Sequence, residues 1–290
     1  MKKRVTLKGA AAAAMATAVF AAGTSVLAEQ DPTVKEMVVN GEEVMTVVAD
    51  PQPGVSELDK LYDGWLFRSE ETQALQMDDF ENPGMIFVEQ AEEMWNTVEG
   101  SEGKSCASCH GDPSSMKGVR ATYPKMSPSL GKLATIEMEV NNCRENRMGA
   151  EPWKYTGGKM TAMNALITLQ SRGMPVDVKV DDAVRANWEH GKELYYARTG
   201  QLELSCANCH EQHYGERIRA DMLSQGQING FPAYRLKNGK LNSVHARFKG
   251  CVRDTRAETY KPGSQAFIDL ELYVATRGNG LSVTGPSVRN

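Results

Sequence analysis

The sequence predicts an all-α protein in which two small domains, related by internal duplication, follow an N-terminal extension. Three observations carry that expectation. Cys106-Ala-Ser-Cys109-His110 recurs 100 residues later as Cys206-Ala-Asn-Cys209-His210. Each pentapeptide is followed by one further cysteine, Cys143 or Cys251, and these account for all six cysteines of the chain. Apolar residues recur at helical spacing on both sides of each motif.

The first 28 residues begin with Lys2, Lys3, Arg4 and Lys8, continue as an uncharged alanine-rich run and end on Val26-Leu27-Ala28. That pattern reads as a secretory signal peptide, residues 1–28, with cleavage after Ala28. A retained anchor is the alternative, since the run is about long enough to cross a bilayer. Its alanine, glycine, serine and threonine content makes it weakly apolar, and no later segment is apolar enough to span, so no stable membrane anchor is expected. Residues 29–80 have no counterpart in the repeat and are rich in Asp, Glu, Pro and Gly. They read as an extension packed on the surface, with Trp65 as its anchor.

Residues 81–180 and 181–290 form the two repeats. With an offset of 100, Glu89 to His110 and Glu189 to His210 match at both ends, at Gly100/Gly200, and through Ser105-Cys106-Ala107 and Ser205-Cys206-Ala207. Gly131-Lys132-Leu133 precedes Cys143 by the interval that separates Gly239-Lys240-Leu241 from Cys251, so the two later cysteines share one repeat position. Before the first motif, Phe87, Val88, Ala91, Met94, Trp95 and Val98 fall on one helical face; before the second, Val184, Trp188, Gly191, Leu194 and Tyr195 do the same. After each later cysteine comes another amphipathic stretch, Ala162 to Leu169 and Ala266 to Val274, closed by Gly173 and Gly278. Helix, motif, long loops and a closing helix are the outline of a small all-helical cytochrome c domain.

In C-x-x-C-H, two thiols can add across the vinyl groups of a haem while the adjacent histidine reaches the iron. Two covalently bound haem c groups are therefore expected, attached at Cys106 and Cys109 and at Cys206 and Cys209, with His110 and His210 as iron ligands. Structural zinc held by four thiolates is the alternative, but zinc does not require a histidine directly after both pairs. An exported chain carrying this motif belongs in the bacterial cell envelope, and the expected compartment is the periplasm. Of 33 Lys and Arg, four lie in the leader; the remaining 29 against 37 Asp and Glu leave a formal −8 on the exported chain, which argues against nucleic acid as a partner.

Three readings compete for Cys143 and Cys251: buried thiols, a mutual disulfide, or ligation of each domain's own iron from the far side. Equivalent repeat positions favour ligation, because a pseudosymmetric disulfide would have to meet across the domain boundary. Met116, Met126 and Met138 in the first repeat and Met222, His213 and His245 in the second remain candidate ligands. A thiolate ligand favours ferric iron and lowers the reduction potential, which suits sulfur chemistry better than general electron carriage. The surroundings also diverge: Glu137, Met138, Glu139, Val140 and Asn141 precede Cys143, where His245, Ala246, Arg247, Phe248 and Lys249 precede Cys251, and Arg253 and Arg256 follow. A positive cluster beside a thiolate lowers the thiol pKa and attracts small anions. The same residues could instead neutralise haem propionates or stand in water.

With both motifs, both later cysteines, an arginine four residues before the second, and the run Cys251-Val-Arg-Asp-Thr-Arg-Ala-Glu258, the chain closely resembles the SoxA family, the dihaem catalytic subunits of the SoxAX cytochromes of thiosulfate oxidation. The resemblance spans essentially the whole chain. It implies L-cysteine S-thiosulfotransferase activity, in which the sulfane sulfur of thiosulfate is joined oxidatively to a cysteine of a sulfur-carrier protein and two electrons pass to haem. It further implies that Cys251 is the catalytic residue, a distal iron ligand able to carry a persulfide, that Arg247 binds substrate, and that Cys143 is the distal ligand of the first haem. The partners so implied are a monohaem SoxX-like cytochrome c subunit forming a heterodimer, a SoxYZ-like carrier and thiosulfate itself. Two other functions compete. A dihaem electron-transfer cytochrome would need methionine or histidine opposite His210, and a thiosulfate dehydrogenase would form tetrathionate without any carrier.

Overall fold

In the computed structural model residues 32–290 are described, so the expected leader lies outside the described residues. The helices are, in chain order, α1 (Glu70–Met77), α2 (Met85–Asn96), α3 (Ala107–His110), α4 (Val119–Thr122), α5 (Ile136–Cys143), α6 (Gly158–Leu169), α7 (Arg185–Tyr196), α8 (Val244–Asp254) and α9 (Gln265–Thr276). Local chemistry sets several of their starts. Ser69 Oγ accepts from the Thr72 N–H at 3.4 Å and Glu70 and Glu71 follow in the positive first turn of α1, while Ser243 Oγ accepts from the Ala246 N–H at 3.4 Å to begin α8.

Two helix pairs carry two cores. Val88, Ala91 and Trp95 of α2 meet Ala162, Met163, Ala165 and Leu166 of α6. Tyr195 of α7, with Trp188 beside it, meets Phe267, Leu270, Tyr273 and Val274 of α9. Each large apolar side chain sealed in this way stabilises the fold by about 1.5–3 kcal/mol. Val98, assigned by periodicity to the first face, is 61% exposed, because α2 ends at Asn96 and the chain has already turned.

The expectation of an all-α chain needs correcting. Strands of two or three residues occur throughout, among them the hairpins Lys125–Ser127 with Lys132–Ala134 and Ala233–Arg235 with Lys240–Asn242, which lead into α5 and α8. The C-terminal strand Ser287–Arg289 adds in parallel to Ala233–Arg235. Alternation with a period of two residues cannot be seen in segments this short, so no pattern in the chain announces them.

The α7–α9 crossing depends on Gly191. A Cβ there would lie 2.1 Å from the Asp269 carbonyl oxygen and 3.0 Å from Tyr273 Cβ. Asp269 cannot retreat easily, since its buried carboxylate is held by Asn187 Nδ2 and His190 Nδ1, both at 2.7 Å. Gly191→Ala is therefore expected to destabilise the protein by about 3 kcal/mol, the upper range for overpacking, read as a lower midpoint of denaturant unfolding. An unchanged midpoint would show that the two helices can part without cost.

The residues before α2 are no loose cover. Met37, Val39, Met45, Val47, Trp65 and Phe67 make a small core of their own, with Trp65 1% exposed. Polar contacts then tie this segment to the end of the chain. Buried Asp63 accepts from Asn229 Nδ2 and from Thr284 Oγ1, while Gln76 Oε1 accepts from the Val288 N–H at 3.1 Å and Arg289 Nη1 at 2.6 Å. The extension thereby fixes the C-terminal strand on which the hairpin before α8 rests.

Candidate active site

Each motif is seated by the same device. Single antiparallel bridges, Glu99 with Lys104 and Thr199 with Leu204, make a tight turn just before the cysteines. Within it Gly100 and Gly200 adopt φ +76° and +71°, and an added Cβ would come 2.1 Å from Met148 O and Thr255 O respectively. Only glycine lets the chain leaving α5 or α8 lie on that turn. Next to it, the Ser105 N–H donates to Ser108 Oγ at 2.9 Å and the Ser205 N–H to Asn208 Oδ1 at 2.8 Å, so the variable residues of the motifs hold the turn closed.

This seating brings each later cysteine to its own motif. Burial pushes the Cys106 thiol up to about 11, with Cys143 the next cause, and Cys143 itself is raised by burial and then by Cys109. In the second half burial pushes Cys206 up to about 12, again with Cys251 next, and raises Cys209, where Cys251 adds and Arg247 opposes. All six thiols are free, so Cys143 and Cys251 are not joined as a disulfide.

The two histidines differ. His110 is exposed, 5.8 Å ring to ring from Trp95, whose Nε1–H donates to Gly111 O at 2.8 Å. His210 is half-buried and held: its Nδ1 lies 2.7 Å from Ser224 O, and Gly226 packs so closely that a Cβ there would come 2.7 Å from the ring. Burial drives the His210 pKa down to about 4, against the Ser224 bond and with help from Arg247 and Arg277. A carbonyl on Nδ1 leaves Nε2 as the nitrogen free to bind metal, the arrangement that orients a ligating imidazole.

These donors fit haem c. Each half offers two unpaired thiols, the adjacent imidazole and a third thiol facing the same pair, which is the donor set a covalently attached haem takes up. Cys106, Cys109 and His110, with Cys143 beside them, would hold one group; Cys206, Cys209 and His210, with Cys251 beside them, would hold the other.

Arg247 and Cys251 stand four residues apart on α8, hence on one face of that helix. Cys251 first, then Asp221 and Asp254 against the effect of burial, raises the Arg247 pKa. Yet no hydrogen bond or ion pair engages the Arg247 guanidinium among the described residues. A half-buried arginine fork that its own protein leaves unpaired is a ready receptor for an oxyanion. The first half reverses this charge: four residues before Cys143 stands Glu139, which accepts from Tyr123 OH at 3.3 Å and Ser129 Oγ at 3.2 Å.

The positive cluster expected around Cys251 divides in space. Lys249, Arg253 and Arg256 are exposed, and Arg253 lies 3.7 Å from Asp254. His245 faces away into a buried joint, with Gly263 N–H donating to its Nδ1 at 2.9 Å. Of the other candidate ligands, Met116 packs on the first core, Met126 and Met138 on the second, and Met222 on the core of the extension. His213 is exposed beside Glu216. Sequence reasoning missed Arg235, whose charge is felt by Arg247 and Cys251 and whose Nε donates to Asn290 O at 3.0 Å. It also missed Ser224 and Gly226; the intervals of 14 and 16 residues from His210 carry no motif.

Comparison with known proteins places this geometry in a family. The domain described as SoxA/TsdA, cytochrome c domain, matches residues 90–176 and again 190–283. The L-cysteine S-thiosulfotransferase subunit SoxA of Rhodovulum sulfidophilum is 53% identical over 290 residues, covering 99% of this chain and 100% of that protein. The protein of the same name from Paracoccus pantotrophus is 55% identical over 248 residues, 86% of each chain. The crystal structure of SoxXA from P. pantotrophus superposes with a TM-score of 0.87 at 52% identity, covering 90% of this chain and 100% of that one. The chain belongs to the SoxA/TsdA cytochrome c family, and within it to the SoxA proteins.

Proposed function

We propose that this chain is the catalytic subunit of an L-cysteine S-thiosulfotransferase, joining thiosulfate oxidatively to a cysteine of a carrier protein. The observation that carries the reading is the unpaired Arg247 guanidinium one helical turn before Cys251. Thiosulfate is a dianion with a sulfonate end and a sulfane end. Arg247 holds the sulfonate through paired charge-assisted hydrogen bonds and so turns the sulfane sulfur toward Cys251. Asp221 and Asp254 keep the guanidinium charged without occupying its fork. Haem c, when attached, supplies acceptance of single electrons. Glu139 repels a dianion at the matching place in the first half, which confines substrate chemistry to the second.

The wider reading follows from the same residues. Two haem c groups are attached, one in each of two duplicated domains spanning about 81–180 and 181–290, a size suited to one small domain each. The twofold match of one domain description and the repeated glycine seating support duplication. The leader directs the chain to the periplasm. The likeness to the SoxXA structure supports a heterodimer with a monohaem SoxX-like subunit, and a SoxYZ-like protein is the sulfur carrier.

The test uses the holoprotein with thiosulfate, a carrier protein bearing one reactive cysteine, and an electron acceptor. Intact-protein mass spectrometry is expected to show two haem additions on this chain and one thiosulfonate addition on the carrier. Tetrathionate formed at the same rate without carrier would overturn the assignment in favour of a thiosulfate dehydrogenase.

A further inference from the structure

Between the two helix pairs lies a joint of ionisable side chains that the activity above leaves unused. Glu137 of α5 is 3% exposed, Glu271 of α9 4%, His245 of α8 1% and Arg120 of α4 6%. Asn164 Nδ2 donates to Glu137 Oε1 at 2.8 Å, but Glu137 Oε2 is buried without a partner. His245 Nε2 and Glu271 Oε2 stand 2.9 Å apart without the alignment of a hydrogen bond. Tyr155 stacks on His245 with ring centroids 4.8 Å apart, and its OH meets Thr135 Oγ1 at 2.6 Å. Arg120 Nη2 donates to Ile228 O at 2.8 Å, so its charge faces both carboxyls without binding either.

Two carboxyls in a dry joint with one arginine cannot both ionise cheaply, because an uncompensated buried charge is strongly disfavoured. Glu137 is the one with room for a proton: Oε2 is open, and burial, then the charge of Glu271, raises its pKa while His245 opposes. Gly263 N–H donates to His245 Nδ1 at 2.9 Å, so that nitrogen is already engaged and Glu137 Oε2 is the open acceptor of the joint.

We propose that Glu137 is a redox-linked proton site, a sealed carboxyl between the two domains that holds its proton more tightly once electrons enter the flanking haem sites. Glu137 and His245 each stand six residues before their domain's later cysteine, roughly 9 Å along the helix axis. An electron added in either domain brings negative charge near the joint, where low dielectric transmits it, and that charge favours the neutral acid. The use of the proton rests on the activity proposed above. Joining a carrier thiol to thiosulfate breaks one S–H bond, forms one S–S bond, and releases one proton with two electrons. The proton leaves to solvent while the electrons stay on the chain, and tighter proton binding at Glu137 offsets part of their charge.

The test needs neither thiosulfate nor carrier, so it stands or falls apart from the activity. The holoprotein is titrated with a chemical reductant at a series of pH values while haem absorbance is followed. At least one haem potential is expected to fall as pH rises in the unmodified protein, and Glu137→Gln, which keeps the shape and the Asn164 contact, is expected to flatten that fall. A protein with no pH dependence, or a variant with the same slope, would overturn the proposal. A reading without any variant is the infrared difference spectrum between oxidised and reduced holoprotein. A carboxylic acid C=O band that shifts in heavy water supports the site, and its absence counts against it.

Discussion

Cys251→Ala is expected to abolish conjugation while both haem groups remain attached. The loss should reach roughly 10⁴-fold or more in turnover, the scale on which removing a reacting group acts. Attachment survives because Cys106, Cys109, Cys206 and Cys209 are untouched and each motif is closed by its own serine contacts. Folding survives as well, since Cys251 is only half-buried at the surface of α8 and a truncation there opens little cavity. Cys251→Ser separates sulfur from shape: an oxygen of nearly the same size should restore packing and no activity. The measurement is carrier modification by mass spectrometry beside a haem count on the same sample. Wild-type turnover in the alanine variant would remove Cys251 from the chemistry and leave an electron-transfer cytochrome.

Arg247→Ala is expected to lower kcat/KM for thiosulfate about 100-fold, mostly through KM. Two hydrogen bonds to a charged group at about 1.5 kcal/mol each amount to about 3 kcal/mol, or two factors of ten. Arg247→Lys should recover part of the loss, because an ammonium restores the charge without the planar fork. Glu139→Gln, at the matching position of the first half, should leave thiosulfate dependence unchanged. Steady-state rates over a range of thiosulfate concentrations decide both. An unaltered KM in Arg247→Ala would move substrate binding elsewhere, with Arg235 the next group to test.

The haem motifs, the later cysteines and the helix pairs were legible because each is a local pattern. Two thiols and a histidine within five residues, or apolar residues at a period of 3.6, need no knowledge of the rest of the chain. Arg247 came from the resemblance to the SoxA family, since its spacing alone left a substrate contact and a solvated charge equally open; the helix then puts it on the face of Cys251. By position in the sequence His245 belongs with the positive cluster before Cys251, and only packing shows it turned into the joint with Glu271 and Tyr155. Two residues of helical separation rotate a side chain by more than half a turn, and which half meets a neighbouring domain is set by that neighbour.

By itself, then, the sequence determined the motifs and their repetition: two C-x-x-C-H pentapeptides, a later cysteine for each, and an arginine in place of a glutamate before one of them. Tertiary structure decided what those residues face. It set Cys143 and Cys251 each against its own motif through Gly100 and Gly200, left the Arg247 fork unpaired, held His210 against Ser224 and Gly226, and enclosed Glu137 between the two helix pairs. The reason is physical. Bonding patterns and helix periods are written within a few residues, whereas burial and electrostatic field are sums over segments that meet only after the chain has folded.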